Sequence, residues 1–520
     1  MANGYDVIVI GASADGLVAA TALAKAGKRV LVVDSATAIG GESRAFEFAP
    51  GFVAAPFALD AGWVPPVVAR GIGVAPPPSV APEFSVTVAT NDGFLALPVD
   101  ASRAATAIKP HSTRDAARWP AFVSQLRKLS GFLEVLYQTP APDVDAVSFS
   151  DLSALLGVGG ALRGMGREDM TELLRALPMS VQDFLDDHLE STSLKAAVGA
   201  GGVRDLRQGA RSGGTTFNLL HYIVGAPAGS VRARSRWKGG WGAFGTVLFD
   251  AARAAGVTIK LGRGVARILV RDDAVTGVLM DDAEEIFARD VVSTLDPSHT
   301  MLRLVDPVWL DPEFIRAVRN IRYRGCTALV LYAVDKLPEV PGLDSVVSLT
   351  PTLTDLERAY DAAKYRQLSQ TPHVELTAPS LRWGGMAPEG KHVVVARVSY
   401  DGREASPEPR ALNPDDDVTA RAASVIARHL PSFENSVLAR AVLTPHDIEA
   451  RFGLTGGTPT HGEVALDQIL FMRPVAGSSR YAMPIDGLYL GGPGAHPGPG
   501  VTGAAGWLAA RALIRNKRKA

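Results

Sequence analysis

The chain lacks the features that mark several functional classes. It has a single cysteine, Cys326, among 520 residues. An internal disulfide framework and a cysteine-rich zinc site are therefore excluded. Neither sign of charge dominates, with 53 Lys and Arg against 54 Asp and Glu. A protein whose main task is to neutralise nucleic-acid phosphates would carry a basic excess. No uninterrupted apolar run approaches the ~18–20 residues of a bilayer-crossing helix. The N-terminus lacks a basic stretch followed by an apolar one, so no secretory signal is expected. The ten histidines and scattered acids show no H-E-x-x-H or similar ligand spacing, so no metal is expected. No G-x-S-x-G sits between a strand and a helix. These absences leave a soluble, cytoplasmic protein without a nucleic-acid partner as the expectation. Cys326 opens an apolar run and reads as a buried core residue.

The chain is rich in turn-formers. It holds 52 glycines and 35 prolines, well above a usual combined share of roughly 12%. With 47% hydrophobic residues it can bury a large core, and its length suits more than one domain.

The first forty residues carry the clearest pattern. Asp6 to Ile10 is a short apolar run suited to a buried parallel strand. Gly11-Ala12-Ser13-Ala14-Asp15-Gly16 follows, then an Ala-rich helical stretch stopped by Gly27. Arg29 to Val33 is a second strand that ends on Asp34. Gly11 permits a sharp turn, and Gly16 permits close helix–strand packing. The helix N-terminus offers N–H groups and partial positive charge to a pyrophosphate. Asp34 sits where an acid bonds the adenosine ribose, which favours FAD or NAD over NADP. The middle glycine of the usual G-x-G-x-x-G is Ser13. Its hydroxyl can bond a phosphate oxygen or crowd the turn.

Ile39-Gly40-Gly41 follows the acid. From here the sequence resembles the FAD-dependent oxidoreductases that include phytoene desaturases and amine oxidases, in which a similar Gly-Gly lies near the cofactor. Asp34 replaces the family's usual Glu, and Ala36 stands where a basic residue is common. Residues 76–235 alternate Pro-rich pieces with helical patterns such as Trp119 to Tyr137 and Asp169 to Leu189. Gly239 to Ala255 reads as a helix. Val257 to Leu261 and an alternating pair of strands around Asp272-Asp273 follow, leading into Asp290 to Thr294. This resembles the family's second cofactor-side segment, and the resemblance implies a backbone contact to adenine at Val265.

Near the C-terminus, Leu488 to Leu490 delivers the chain into a glycine-rich loop from Gly491 to Gly506, with a helix expected from Val501 to about Leu513. Those glycines let backbone approach a flat ring or a phosphate. The stretch resembles the flavin-closing motif of phytoene desaturase-like enzymes, in the branch named after pyridine nucleotide-disulfide oxidoreductase domain-containing protein 2. The resemblance covers roughly a third of the chain, in three separated pieces.

The expected fold is α/β. A Rossmann-like FAD-binding domain is assembled from residues 1–75, 236–300 and 450–520. A mixed α+β substrate domain with a helical lid spans 76–235 and 301–449. The expected cofactor-binding set is Gly11, Ser13, Ala14, Gly16, Asp34, Ser35, Gly40, Gly41, Val265, Gly492, Gly494, Gly500, Val501 and Thr502. His496 and His461 are the catalytic candidates; either imidazole can bond the flavin, contact substrate or move a proton, and His496 can equally brace its loop. Arg473 reads as a structural ion-pair partner. The resemblance implies hydride transfer from an apolar, polyene- or ring-containing small molecule to FAD. Two alternatives stand beside it: a flavin-dependent isomerase without net redox change, and a non-catalytic protein that has lost flavin through Ser13, Asp34 and Ala36. The basic run Arg515 to Lys519 suits either peripheral contact with anionic lipid or a solvated terminus. Oligomeric state is not encoded in any pattern found.

Overall fold

The computed structural model describes residues 4–58, 62–141, 149–401 and 417–516, so Lys517, Arg518 and Lys519 of the basic run lie outside the described residues. Two seven-stranded sheets organise these residues. In the first, Tyr5–Ile10 pairs in parallel with Val30–Asp34 on one side and Glu285–Ser293 on the other. Thr258–Leu261 extends the sheet beyond Val30–Asp34, again parallel. Leu488–Leu490 joins the far half of Glu285–Ser293, also parallel. The near half of Glu285–Ser293 pairs antiparallel with Ala274–Met280, which pairs antiparallel with Val265–Arg271.

The burial of Glu285–Ser293 follows this division. It alternates buried and exposed over its antiparallel half and is continuously buried over its parallel half. That is the pattern expected of one open face and then two covered faces. The hairpin turn rests on Asp272 and Asp273 at φ +51° and +59°, a pair of left-handed residues suited to a tight two-residue turn.

The helix Ala14–Lys25 packs on the C-terminal helix Ala504–Arg515. Glycine makes the approach possible. A Cβ on Gly506 would lie 2.0 Å from the carbonyl oxygen of Asp15. The chain's end is thereby locked to its beginning.

The second sheet runs in the order Val437–Leu443, Thr327–Val334, His392–Ser399, His373–Thr377, Val347–Ser348, Phe84–Thr90, Gly93–Pro98. Thr327–Val334 is buried along its whole length. Beside this sheet stands a group of helices that includes Thr113–Leu136, Arg167–Ala176, Val181–His188 and Thr215–Ile223. Cys326 is buried at the head of Thr327–Val334, and burial pushes its thiol up to about 12. It is an inert core residue, as its context suggested.

Three local expectations change. The stretch Asp169 to Leu189 is two helices, because Pro178 interrupts it and Ser180 caps a new start by accepting from the Asp183 amide at 3.1 Å. The last helix begins at Ala504, not Val501, because Gly503 takes a left-handed conformation at φ +75°. Val501 and Thr502 are thereby left in the loop. Among the described residues Arg473 makes no ion pair: its guanidinium donates to the carbonyls of Pro493, Thr460, Glu463, Gln468 and Gly462. Among the described residues, no helix is long and apolar enough to cross a membrane.

Candidate active site

A cavity of about 980 Å³ lies between the two sheets and is lined by residues of both. This is at the upper end of small-molecule and cofactor sites.

One wall is the turn after Tyr5–Ile10. A Cβ on Gly11 would fall 2.3 Å from Thr294 Oγ1, and one on Gly16 would fall 2.0 Å from the Gly11 carbonyl oxygen. Neither position admits a side chain. Gly16 therefore supports the turn from behind rather than lining the cavity, while Gly11, Ser13 and Ala14 do line it. Ser13 is the N-cap of Ala14–Lys25; its Oγ accepts weakly from the Gly16 amide at 3.4 Å and donates to Thr294 Oγ1 at 3.4 Å. Opposite it, Gly41 at φ +56° leaves room that a Cβ would take at 3.2 Å from Ser13 Cβ. The serine is accommodated by this neighbouring glycine and turned toward its own helix.

Asp34 is the second fixed point. Its Oδ2 accepts from the Ala12 amide at 2.7 Å and its Oδ1 from the Ala36 amide at 2.8 Å. The shorter acid thus ties the glycine turn to the loop after the second strand. A carboxylate has about four acceptor sites, so two remain for ribose hydroxyls. Ser35 and Val265 share this end, since the Arg263 amide donates to the Asp34 carbonyl at 3.0 Å. Gly40 and Gly41 complete the rim.

The closing loop divides into two functional parts. Gly492 and Gly494 pack against the 294–297 segment: their Cβ atoms would lie 2.2 Å from the Thr294 carbonyl oxygen and 2.3 Å from Pro297 Cδ. They do not line the cavity, which corrects the expectation for both. Gly500, Val501 and Thr502 do line it. Trp63 holds them by exchanging backbone bonds with Gly500 and Thr502 at 3.0 and 2.8 Å. Arg234 clamps the same loop, donating to the carbonyls of Gly500, Tyr222 and His221.

The two histidine candidates part company. His496 is buried away from the cavity, and its Nε2 donates to the Thr139 carbonyl at 3.1 Å. Its ring meets Tyr137 edge-on at 6.0 Å. It braces the loop against the helical group. His461 lines the cavity, and its buried Nδ1 has no hydrogen-bond partner among the described residues. Burial lowers its pKa to about 4, with Asp296 opposing and Arg473 and His299 assisting. The imidazole is neutral at physiological pH; its Nδ1 is sealed, which leaves Nε2 as the ring nitrogen open to the cavity.

The sequence reading missed a charged group in the same cavity. Asp205 accepts from Arg397 Nη2 at 2.5 Å and from the Tyr222 hydroxyl at 3.1 Å, with Arg204 Nε 3.5 Å away. Burial alone would raise the Asp205 carboxyl, and the two guanidinium groups outweigh it and hold it below its usual range. A signal was present, because Arg397 is the one charged residue inside the apolar run Val393 to Val398. Its partner is 192 positions away and could not be read from spacing. Asp15 and Glu42 were also passed over. Burial pushes the Asp15 carboxyl up to about 7, the Gly506 amide pulls against this, and Glu42 adds to it.

The residues present fit FAD. The Gly11–Gly16 turn is a cradle that Cβ atoms would fill, the helix start of Ala14–Lys25 lines the cavity, and Asp34 keeps acceptor capacity.

Comparison with known proteins agrees. Residues 116–514 match the family model described as flavin containing amine oxidoreductase, and residues 9–63 match the NAD(P)-binding Rossmann-like domain. Pyridine nucleotide-disulfide oxidoreductase domain-containing protein 2 of Rattus norvegicus is 30% identical over 98% of this chain and 94% of its own. Hydroxyneurosporene desaturase of Rubrivivax gelatinosus is 26% identical over 98% and 93% of the two chains. A solved structure of a putrescine oxidase triple mutant shares the fold, with a TM-score of 0.59, 17% identity, and 98% and 99% of the chains covered.

Proposed function

The chain belongs to the family of flavin containing amine oxidoreductases, and on that premise we propose that this FAD-dependent oxidoreductase dehydrogenates a largely apolar small molecule. The cofactor portion is formed by residues 1–75, 236–300 and 450–520, and the substrate portion by 76–235 and 301–449. Gly11, Ser13 and Ala14 receive the pyrophosphate at the helix N-terminus. Asp34, Ser35 and Val265 hold the adenosine end, and Gly40, Gly41 and Gly500 to Thr502 border the remainder.

When bound, FAD supplies the two-electron acceptor for hydride removal from a C–H bond. The chain's own residues do the rest. Trp383, Met386, Phe452 and Leu454 give the cavity an apolar wall that excludes water from the substrate. His461, through its Nε2, takes the proton released as the new double bond forms. His496 acts through the loop alone, bracing Gly498 to Thr502 from behind.

The observation that carries this reading is the single cavity bounded at once by the glycine turn, Asp34, the closing loop and the second sheet. The desaturase relative supports an apolar substrate. The test is anaerobic mixing of FAD-loaded protein with candidate apolar donors, hydroxyneurosporene first. Dehydrogenation bleaches the flavin in step with product. An isomerised product with the flavin left oxidised would overturn the reading in favour of isomerisation.

A further inference from the structure

A second concavity, of about 300 Å³, shares no residue with the cavity between the sheets. It lies where the end of Ala14–Lys25 meets Gly71 and the C-terminal helix Ala504–Arg515. Lys25, Arg511 and Arg515 line it, and no acid among the described residues does. Trp507, Arg511 and Arg515 follow one another at four-residue steps and so share one helix face. Ile514 stands beside them in the same groove.

The groove is shaped for these side chains. A Cβ on Gly71 would lie 2.1 Å from Trp507 Cη2, so only glycine lets the indole lie there. The Arg511 guanidinium sits over that indole, 5.6 Å from the ring centroid. The Ile72 carbonyl accepts from Lys25 Nζ and holds it at the rim.

The charge of the groove is not offset. Among the described residues, none of Lys25, Arg511 and Arg515 pairs with a carboxylate. Burial and the neighbouring Arg515 charge both lower the Arg511 pKa. On a chain whose acids and bases nearly balance, this is a local excess. The sequence extends it, since no Asp or Glu follows Asp486, while Lys517, Arg518 and Lys519 follow the helix. A free anion would need the cations alone. Here they share one face with Ile514, which is 41% exposed, and with the half-buried Trp507. Cations beside an exposed aliphatic group and a tryptophan match a lipid interface, where headgroups take the charges and the acyl boundary takes the apolar groups.

We propose that the end of the C-terminal helix docks on an anionic membrane surface, with Lys25, Arg511 and Arg515 receiving lipid phosphates and Ile514 and Trp507 meeting the acyl boundary. The proposal goes beyond the reaction described above and does not depend on it.

The experiment is vesicle co-sedimentation of the purified full chain, with flavin content recorded. Vesicles are phosphatidylcholine alone, or phosphatidylcholine with about 30% phosphatidylserine, each at about 0.05 M and about 0.5 M salt. At low salt the protein should bind anionic vesicles at least about tenfold more tightly than neutral ones, and most of that preference should vanish at high salt. Arg511→Gln combined with Arg515→Gln should weaken anionic-vesicle binding about 10–30-fold with flavin content unchanged. Arg319→Gln, which removes an exposed cation from the helix Pro312–Arg319, should leave it unchanged. Equal binding to neutral and anionic vesicles overturns the proposal, and that comparison needs no variant. Unchanged binding in the Arg511 and Arg515 double variant also overturns it, by leaving the attraction to the tail or to another surface. Binding of a duplex oligonucleotide as tight as that of anionic vesicles would assign nucleic acid instead. Displacement by inorganic phosphate at matched ionic strength would assign a free-anion site, and either result overturns the proposal.

Discussion

Tyr137 donates its hydroxyl hydrogen to His221 Nδ1 at 2.7 Å, and His221 Nε2 donates to the Pro499 carbonyl at 2.9 Å. This two-step link joins the long helix Thr113–Leu136, through the residue that ends it, to the loop that borders the cavity. Replacing Tyr137 by Phe leaves His221 Nδ1 buried and unsatisfied. The expected loss is about 1–3 kcal/mol of stability, read from urea unfolding, together with faster flavin release as the loop loosens. An unchanged unfolding midpoint and unchanged flavin release would show that the link is incidental.

Three buried histidines set a common pH dependence. Burial lowers His221 to about 3, and His461 and His496 to about 4, from 6.5. The unfolded chain therefore binds more protons than the folded one below pH 6.5. The stabilisation is full above that value and is lost as pH falls toward 4, by up to about 1.4 kcal/mol per pH unit for each histidine. Urea midpoints taken at pH 7, 6 and 5 should drop on acidification. A flat profile would mean that the three rings are not held neutral by the fold.

Asp15 acts in the opposite sense. Its carboxyl, raised to about 7 in the fold, holds its proton more tightly than the unfolded chain does. Its contribution is greatest below about pH 4 and is lost as pH rises toward 7. Asp15→Asn keeps an acceptor for the Gly506 amide and removes the titration. The variant should match the parent at pH 4 and exceed it at pH 8 by a few kcal/mol, on the order of 2–4. No gain at pH 8 would mean that the carboxylate is well solvated or paired.

Ser13 offers a direct test of the altered turn. Its hydroxyl serves the Gly16 amide and Thr294 rather than projecting at a ligand. Ser13→Gly should shift stability by only a few tenths of a kcal/mol, since glycine is a tolerable N-cap. Flavin affinity should move by less than about threefold on the same grounds. A large gain in flavin uptake would show instead that the serine obstructs the pyrophosphate.

Much of this was legible in local chemistry. The Gly11–Gly16 turn, Asp34, Gly40-Gly41 and the Gly500–Thr502 segment are short-range patterns in which backbone freedom and charge must sit at fixed offsets. Three kinds of fact were not legible. Which way a loop residue faces is decided by packing, so of two loop histidines His461 lines the cavity and His496 does not. Where a buried cation finds acceptors is decided by long-range folding, so Arg473 was given an acid and met carbonyls instead. Groups that join over 192 positions, such as Asp205 and Arg397, leave no spacing to read. A lone charge in an apolar strand was the one available hint.

The central claim is that the glycine cradle and closing loop bind FAD and that the bound flavin is redox-active. It is tested most directly by the visible spectrum of the purified protein, before and after dithionite. The predicted result is a yellow protein with the two flavin absorption bands, which bleach on reduction and return with air, and which releases FAD on denaturation. A colourless protein that stays colourless after incubation with FAD would contradict it.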